Sequence, residues 1–235
     1  VYDAQSKSTI ALAGGSTALR NAYLSPDGEH VAYVLENNLY VTDLVNGTIR
    51  AVTTDGSANI FNGIFDYGST EFGFVDAWHW SPDGQKIAFW RLDVTDLKVF
   101  YIVDELGKYN EVHSLKYPNT AERHAVNQIG VFDLSSGETK WMDIGDNADD
   151  YIPRIDWTRS SQKLSIQRLS RDHERLDLLM SDVESGESRI VLSETDPAWI
   201  DITKDLIFFA GRDQFVWTSE KSGYRHAYLY DYDGK

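Results

Sequence analysis

The chain has 235 residues and a net charge of −15, from 37 acidic and 22 basic side chains, with 42% hydrophobic and 13% aromatic residues. No basic patch of the kind that phosphate contacts require stands out, which argues against nucleic acid as a partner; the acidity reads as a hydrated surface, or as a negative cavity that draws in cations such as free amino termini. Cysteine is absent, which excludes a disulfide framework and a thiolate zinc site, and no run reads as a signal peptide or membrane span.

In chain order, Val1-Tyr2-Asp3 reads as the last strand of a unit already under way, so the chain is expected to be part of something larger. Ser25-Pro26-Asp27-Gly28 precedes the alternating strand His30–Val34, and Ser81-Pro82-Asp83-Gly84 precedes a second, Lys86–Trp90. A second marker, Asp followed four residues later by Gly, occurs at Asp43/Gly47, Asp133/Gly137 and Asp182/Gly186, with a looser Asp231-Tyr-Asp-Gly234 at the end. Proline presets φ and glycine accepts positive φ, so each marker predicts a hairpin between two strands. Gly137, Gly186 and Gly234 are 49 and 48 residues apart, close to the roughly 40 to 50 residues of a propeller blade. Gly28 and Gly47 are 19 apart, whereas Gly84 and Gly137 are 53 apart. An insertion of about 34 residues is therefore expected within 94–127, as an extra hairpin or an arm leaving the blade. Helical periodicity is hard to find; the best candidate is the short stretch Ser170–Leu176. The expected fold class is all-β, a β-propeller fragment of about four to five four-stranded blades filling residues 1–235.

Most chemical motifs are missing. No Gly-x-Ser-x-Gly elbow occurs; the nearest string, Gly14-Gly15-Ser16-Thr17-Ala18, lacks the last glycine. His173-Glu174 is not followed by a second ligating histidine, and no phosphate loop or dinucleotide fingerprint is present. Asp146–Asp150 offers oxygens to calcium but lacks the glycine and terminal glutamate of an EF-hand loop, so it reads as a solvated acidic turn. Asn46-Gly47-Thr48 has the form of a glycosylation acceptor inside a predicted tight hairpin. Neither a catalytic residue, nor a metal ligand, nor a cofactor is expected.

Four stretches carry a family resemblance. The run Asp66-Tyr-Gly-Ser-Thr-Glu-Phe-Gly-Phe-Val-Asp-Ala-Trp-His-Trp-Ser-Pro-Asp-Gly84, continuing through Lys86–Asp93, resembles the N-terminal β-propeller of dipeptidyl peptidase IV-type serine peptidases, in the prolyl oligopeptidase superfamily. Asn38–Val41, Lys116–Pro118 with Ala125–Asn127, and Phe215–Glu220 with Gly223, Tyr224, His226 and Tyr228 resemble further segments in the family's order. The resemblance implies an eight-bladed propeller capping an α/β-hydrolase domain that supplies serine, aspartate and histidine; none of that domain is in this chain, which is not a catalyst alone. It also implies a serine exopeptidase that releases short peptides from N-termini after proline, and an exported protein.

In the family a glutamate pair on a segment projecting from one blade binds the peptide's α-ammonium. Here that segment reads Ser69-Thr70-Glu71, so only Glu71 matches, while Thr70 supplies a hydrogen bond without charge. One carboxylate pairs with an ammonium but does not clamp it from two sides, which leaves dipeptidyl and tripeptidyl release both open. Lys7 lies where relatives carry a basic residue that reaches the substrate, or is a solvated strand-end lysine. The histidines are not read as catalytic: His79 and His226 alternate with large apolar neighbours as structural residues, and His113 and His124, in the insertion, face a partner subunit or the hydrolase. The implied partners are a peptide with a free N-terminus, the hydrolase domain and a second copy docked through the insertion. The alternative is a propeller used purely as a protein-binding scaffold.

Overall fold

The computed structural model describes residues 1–4, 7–12, 18–65, 72–73, 76–146 and 148–235. The chain is all-β, and its strands follow one another as antiparallel meanders. A two-residue hairpin of β1 (Tyr2–Asp3) and β2 (Ser8–Thr9) comes first. The first sheet is β3 (Arg20–Leu24), β4 (His30–Leu35), β5 (Asn38–Asp43) and β6 (Ile49–Ala51), in that order. In the second, β7 (Ile60–Asn62) and β8 (Trp78–Trp80) both lie along β9 (Lys86–Asp93). A separate ribbon of β10 (Val99–Asp104) and β11 (Glu111–Lys116) intervenes before β12 (Val126–Asp133) and β13 (Thr139–Trp141) complete that sheet. The third sheet is β14 (Tyr151–Trp157), β15 (Lys163–Leu169), β16 (Arg175–Asp182) and β17 (Ser188–Thr195), and the fourth is β18 (Ile207–Phe208), β19 (Gln214–Ser219) and β20 (His226–Asp231). Among the described residues, four blade-like sheets and a leading hairpin agree with the expected four to five blades.

The turn chemistry explains the meander. Gly28 N–H donates to Ser25 O at 2.9 Å, and Ser25 N–H to His30 O at 2.9 Å. Asp27 accepts the Glu29 N–H at 3.0 Å and Ser25 Oγ accepts the His30 N–H at 3.0 Å, so side chains satisfy the donors that a two-residue reversal leaves over. The same bonds recur at Ser81–Lys86. They recur again at Ser170–Arg175, where Ser170 Oγ accepts the Arg175 N–H at 2.9 Å and Asp172 the Glu174 N–H at 3.1 Å. The helical reading of Ser170–Leu176 is therefore overturned: His173, at φ 60°, occupies the glycine position of a third hairpin. Its positive φ without a glycine is what hid the turn. In the Asp-x-x-x-Gly loops the aspartate caps two N–H groups, as Asp133 does for Ser135 at 2.8 Å and Ser136 at 3.0 Å.

The sheets bury both faces, so alternate residues of one strand enter different cores. On β9, Ile87 and Phe89 join Ala32, Val34 and Leu39 of the first sheet, while Ala88, Trp90 and Leu92 join Ile155, Leu164 and Ile166 of the third. Leu176, Leu178 and Met180 then face Phe215 and Trp217 of the fourth. The sheets thus stack in chain order, as propeller blades do. The first strands also stand beside one another: Trp80 Nε1 donates to Tyr23 O at 3.2 Å, Trp157 Nε1 to His79 O at 3.1 Å, and Arg159 Nε to Phe208 O at 3.1 Å.

Within 94–127, β10 and β11 pair as a ribbon six residue pairs long. Every residue of β10 is exposed, the apolar Val99, Phe100, Tyr101, Ile102 and Val103 included. Lys116 Nζ donates to Leu97 O at 2.7 Å at its base. Among the described residues no helix is long and apolar enough to cross a membrane.

Two tests address this packing. Gly130 on β12 lies opposite Phe89, and a Cβ there would stand 2.7 Å from the Phe89 ring and 3.0 Å from Thr139 Cγ2. Gly130→Val is expected to destabilise the chain by an overpacking cost of about 1–3 kcal/mol, read as a lower urea midpoint; an unchanged midpoint contradicts the registered pair. Burial by itself would raise the Asp133 pKa, but the Ser135 hydroxyl, the Ser136 and Ser135 N–H groups and Lys86 at 3.2 Å together bring it down to about 2. A carboxyl depressed by folding stabilises above its unfolded pKa of about 4 and loses that contribution as pH falls through the folded value. The stability advantage of the native chain over Asp133→Asn is therefore expected at pH 5 and to fade between about pH 4 and pH 2; a pH-independent difference would remove the linkage.

Candidate functional site

The first strand of the second sheet is broken. β7 pairs Ile60, Phe61 and Asn62 with Asp93, Leu92 and Arg91, and β8 pairs Trp78 with Phe89, so Trp90 alone separates the two pairings along β9. Gly63 N–H donates to Trp90 O at 3.0 Å, and Trp90 N–H to Ala77 O at 3.0 Å. The ladder therefore closes beneath an excursion that leaves at Gly63 and returns at Ala77. Gly63 has φ 70°, and a Cβ there would lie 3.0 Å from Val34 Cγ2 and 3.2 Å from Trp78 Cδ1, so the neck requires a residue without a side chain. The excursion contains the segment singled out in the sequence. Thr70 and Glu71 themselves lie outside the described residues.

Phe72 and Gly73 show where the excursion goes. The Phe72 side chain is buried in the core between the third and fourth sheets, and its ring meets Tyr151 edge-on at 5.3 Å. Its carbonyl accepts Arg154 Nη2 at 3.0 Å. A Cβ on Gly73 would stand 3.0 Å from Lys204 Nζ, so the approach to the fourth sheet also reaches this chain. The excursion thus begins in one blade and is held by the next two.

Beside it opens a cavity of about 830 Å³, lined among others by Phe65, Phe72, Tyr117, Tyr151, Arg171 and Trp199. Its floor is a stacked column: His124 on Tyr151 at 4.4 Å, Tyr151 edge-on to His173 at 5.8 Å, and His173 on Trp199 at 3.8 Å. Arg171 stands over the Tyr151 ring at 5.2 Å. His124 is held by the Ala125 carbonyl at Nδ1, 2.6 Å, and the Asp149 carbonyl at Nε2, 2.8 Å. The Lys116–Pro118 and Ala125–Asn127 segments thereby meet the excursion at one cavity. A volume of this size, lined by aromatic rings together with polar side chains such as Asn119, Asn127, Arg171 and Asp172, suits a peptide end or another small ligand.

Charge is arranged along the first strands. Arg154 and Asp156 share β14, and burial pushes the Asp156 carboxyl up to about 6 although Arg154 pulls it down. Burial also pushes the Arg154 guanidinium down, against the pull of Asp156. Asp76, at the return of the excursion, accepts the Tyr23 hydroxyl at 3.0 Å.

The remaining candidates fall elsewhere. Lys7 is exposed in the turn between β1 and β2, at φ 54°, and is not part of the cavity wall. His113 lies on the exposed ribbon, whereas His124 of the same insertion is buried in the stacked column. In the acidic stretch Asp150 pairs with Arg168 at 3.7 Å, and Asn147 lies outside the described residues. Asn46 is exposed in the β5–β6 turn, with its amide nitrogen donating to Asp43 at 2.7 Å. Sequence reasoning missed Arg154, Arg171, His173 and Trp199; only His173 had a local signal, its place in the Ser170-x-Asp172 frame shared with Ser25-x-Asp27.

The family described as dipeptidyl peptidase IV (DPP IV) N-terminal region matches residues 1–235. Dipeptidyl aminopeptidase B of Saccharomyces cerevisiae is 31% identical over 227 residues, covering 92% of this chain and 27% of the yeast protein. Dipeptidyl peptidase 4 of Trichophyton tonsurans is 28% identical over 232 residues, covering 92% and 30%. The crystal structure of Porphyromonas gingivalis dipeptidyl peptidase 4 superposes with a TM-score of 0.84 at 29% identity, over 92% of this chain and 31% of that one. The chain therefore spans less than a third of each of these relatives. With its blades, its interrupted first strand and a match along its whole length, it belongs to the family of DPP IV N-terminal regions.

Proposed function

We propose that this chain gates substrate and binds its amino terminus in a DPP IV-type serine exopeptidase that releases short peptides after proline. Hydrolysis is assigned to an α/β-hydrolase domain outside residues 1–235. The observation that carries the reading is the excursion between β7 and β8: it contains Glu71, is anchored at Phe72 by the neighbouring blade and adjoins the aromatic cavity. In this reading the Glu71 carboxylate pairs with the α-ammonium of the incoming peptide, and Thr70 adds an uncharged hydrogen bond. Fixing the ammonium sets how many residues reach the nucleophile, because a bound end converts distance into a count. Lys7, in the chain's first hairpin, is assigned the basic contact to the substrate.

In the whole enzyme, Glu71→Gln is expected to raise KM and lower kcat/KM on free-amine peptides by roughly tenfold or more, since the ammonium loses its charged partner. Amino-blocked peptides should change far less. Equal effects on both substrate classes would take Glu71 out of the amine site.

The exposed β10–β11 ribbon is assigned to dimer formation. It offers an apolar face and unpaired strand edges, the features that recruit a second sheet. Replacing Tyr101 and Val103 by lysine is expected to convert the whole protein from dimer to monomer in analytical ultracentrifugation. A dimer retained at micromolar concentration would place the contact elsewhere.

A further inference from the structure

A carboxylate measures a peptide end only if the chain that bears it is held still, because a misplacement of about 1 Å costs on the order of a hundredfold in rate. The excursion leaves the second sheet at Gly63 and returns at Ala77, and among the described residues its own sheet meets it at this neck and at Phe65, whose ring lies 4.9 Å from that of Trp90. Phe72 is one peptide bond beyond Glu71. That residue is fixed twice by β14: its ring meets Tyr151 at 5.3 Å, and its carbonyl accepts Arg154 Nη2 at 3.0 Å, across 82 residues of sequence. Arg154 has Asp156 on its own strand as the acid that favours its charge, and it in turn acts on His79 of β8. The guanidinium thus joins the first strand of one blade to the excursion of the blade before it.

We infer that Arg154 is a positioning residue for the amine-binding segment: seated on β14, it fixes the Phe72 carbonyl and so the register in which Glu71 meets a peptide ammonium. This rests on the assignment of Glu71 above. Arginine suits the task because its planar fork directs several donors at once, whereas a lysine offers a compact point charge without that geometry.

The test uses the whole enzyme with a free-amine peptide substrate, and a small fluorophosphonate that labels the catalytic serine without an amine. Arg154→Met is expected to raise KM by about tenfold with kcat changed by less than about threefold, and Arg154→Lys to raise KM by about threefold. Fluorophosphonate labelling should keep its native rate in both. Combining Arg154→Met with Glu71→Gln should be no worse than Glu71→Gln alone within about twofold, because the two substitutions disable one device. If Glu71→Gln raises KM while neither Arg154 variant does, the role of Arg154 is overturned and the amine site stands. If Glu71→Gln itself has no effect, the amine site fails and the inference with it. Slowed labelling in both Arg154 variants with KM unchanged would mean that Arg154 only holds blades together, which also overturns it. Should the Met variant not accumulate, the Lys variant and its labelling rate decide.

Discussion

Trp90 is the residue on which the arrangement turns. Its backbone N–H and carbonyl close the ladder beneath the excursion, while its side chain, 1% exposed, enters the core between the second and third sheets. Its indole Nε1 donates to Ile152 O at 3.0 Å, which couples β9 to the first strand of the next sheet. Phe65, on the outgoing limb, meets its ring at 4.9 Å. One residue thereby joins three things: its backbone spans the gap in the first strand, its indole links two blades, and its ring meets the outgoing limb of the excursion. A fully buried aromatic with a satisfied N–H contributes strongly to such a junction, since burial of a large side chain and a satisfied donor act at one point.

Around that junction the molecule is stabilised sheet by sheet. The inner strands of the second and third sheets divide alternate residues between two cores, as β9 and β16 do, so each of these sheets packs against both neighbours. Stability in such arrays is a sum of blade terms and nearest-neighbour interfaces. The excursion is the exception to this nearest-neighbour rule. Phe72 leaves the second sheet and enters the core shared by the third and fourth, so the amine-binding reading places its key segment on contacts that report the alignment of three blades at once.

Electrostatics follow the same geometry. Carboxylates at the hairpin tips, such as Asp133, are held low by hydrogen bonds and a lysine and serve the turns. Asp156, on a first strand, is pushed up by burial. The surface acidity and the buried charge on the first strands therefore have different origins, and only the second is tied to the candidate site.

Much of the fold was legible from local signals. Ser-Pro-Asp-Gly and Asp-x-x-x-Gly form their bonds within six residues of chain, so they announce a hairpin wherever they occur, and the spacing of Gly84 and Gly137 exposed the ribbon. The Ser170–Arg175 turn escaped because His173 took a conformation that sequence reading assigns to glycine. The excursion was visible as a family segment, yet nothing local showed that the first strand resumes along β9 with only Trp90 skipped. Residues 1–235 by themselves determined the repeat, the all-β class and the singular Glu71, because turn chemistry and alternation are short-range. Only the tertiary structure brought Arg154 to Phe72 and His124 to Trp199 through the stacked column, because those contacts depend on how twisted sheets pack face to face, and no spacing along the chain encodes that.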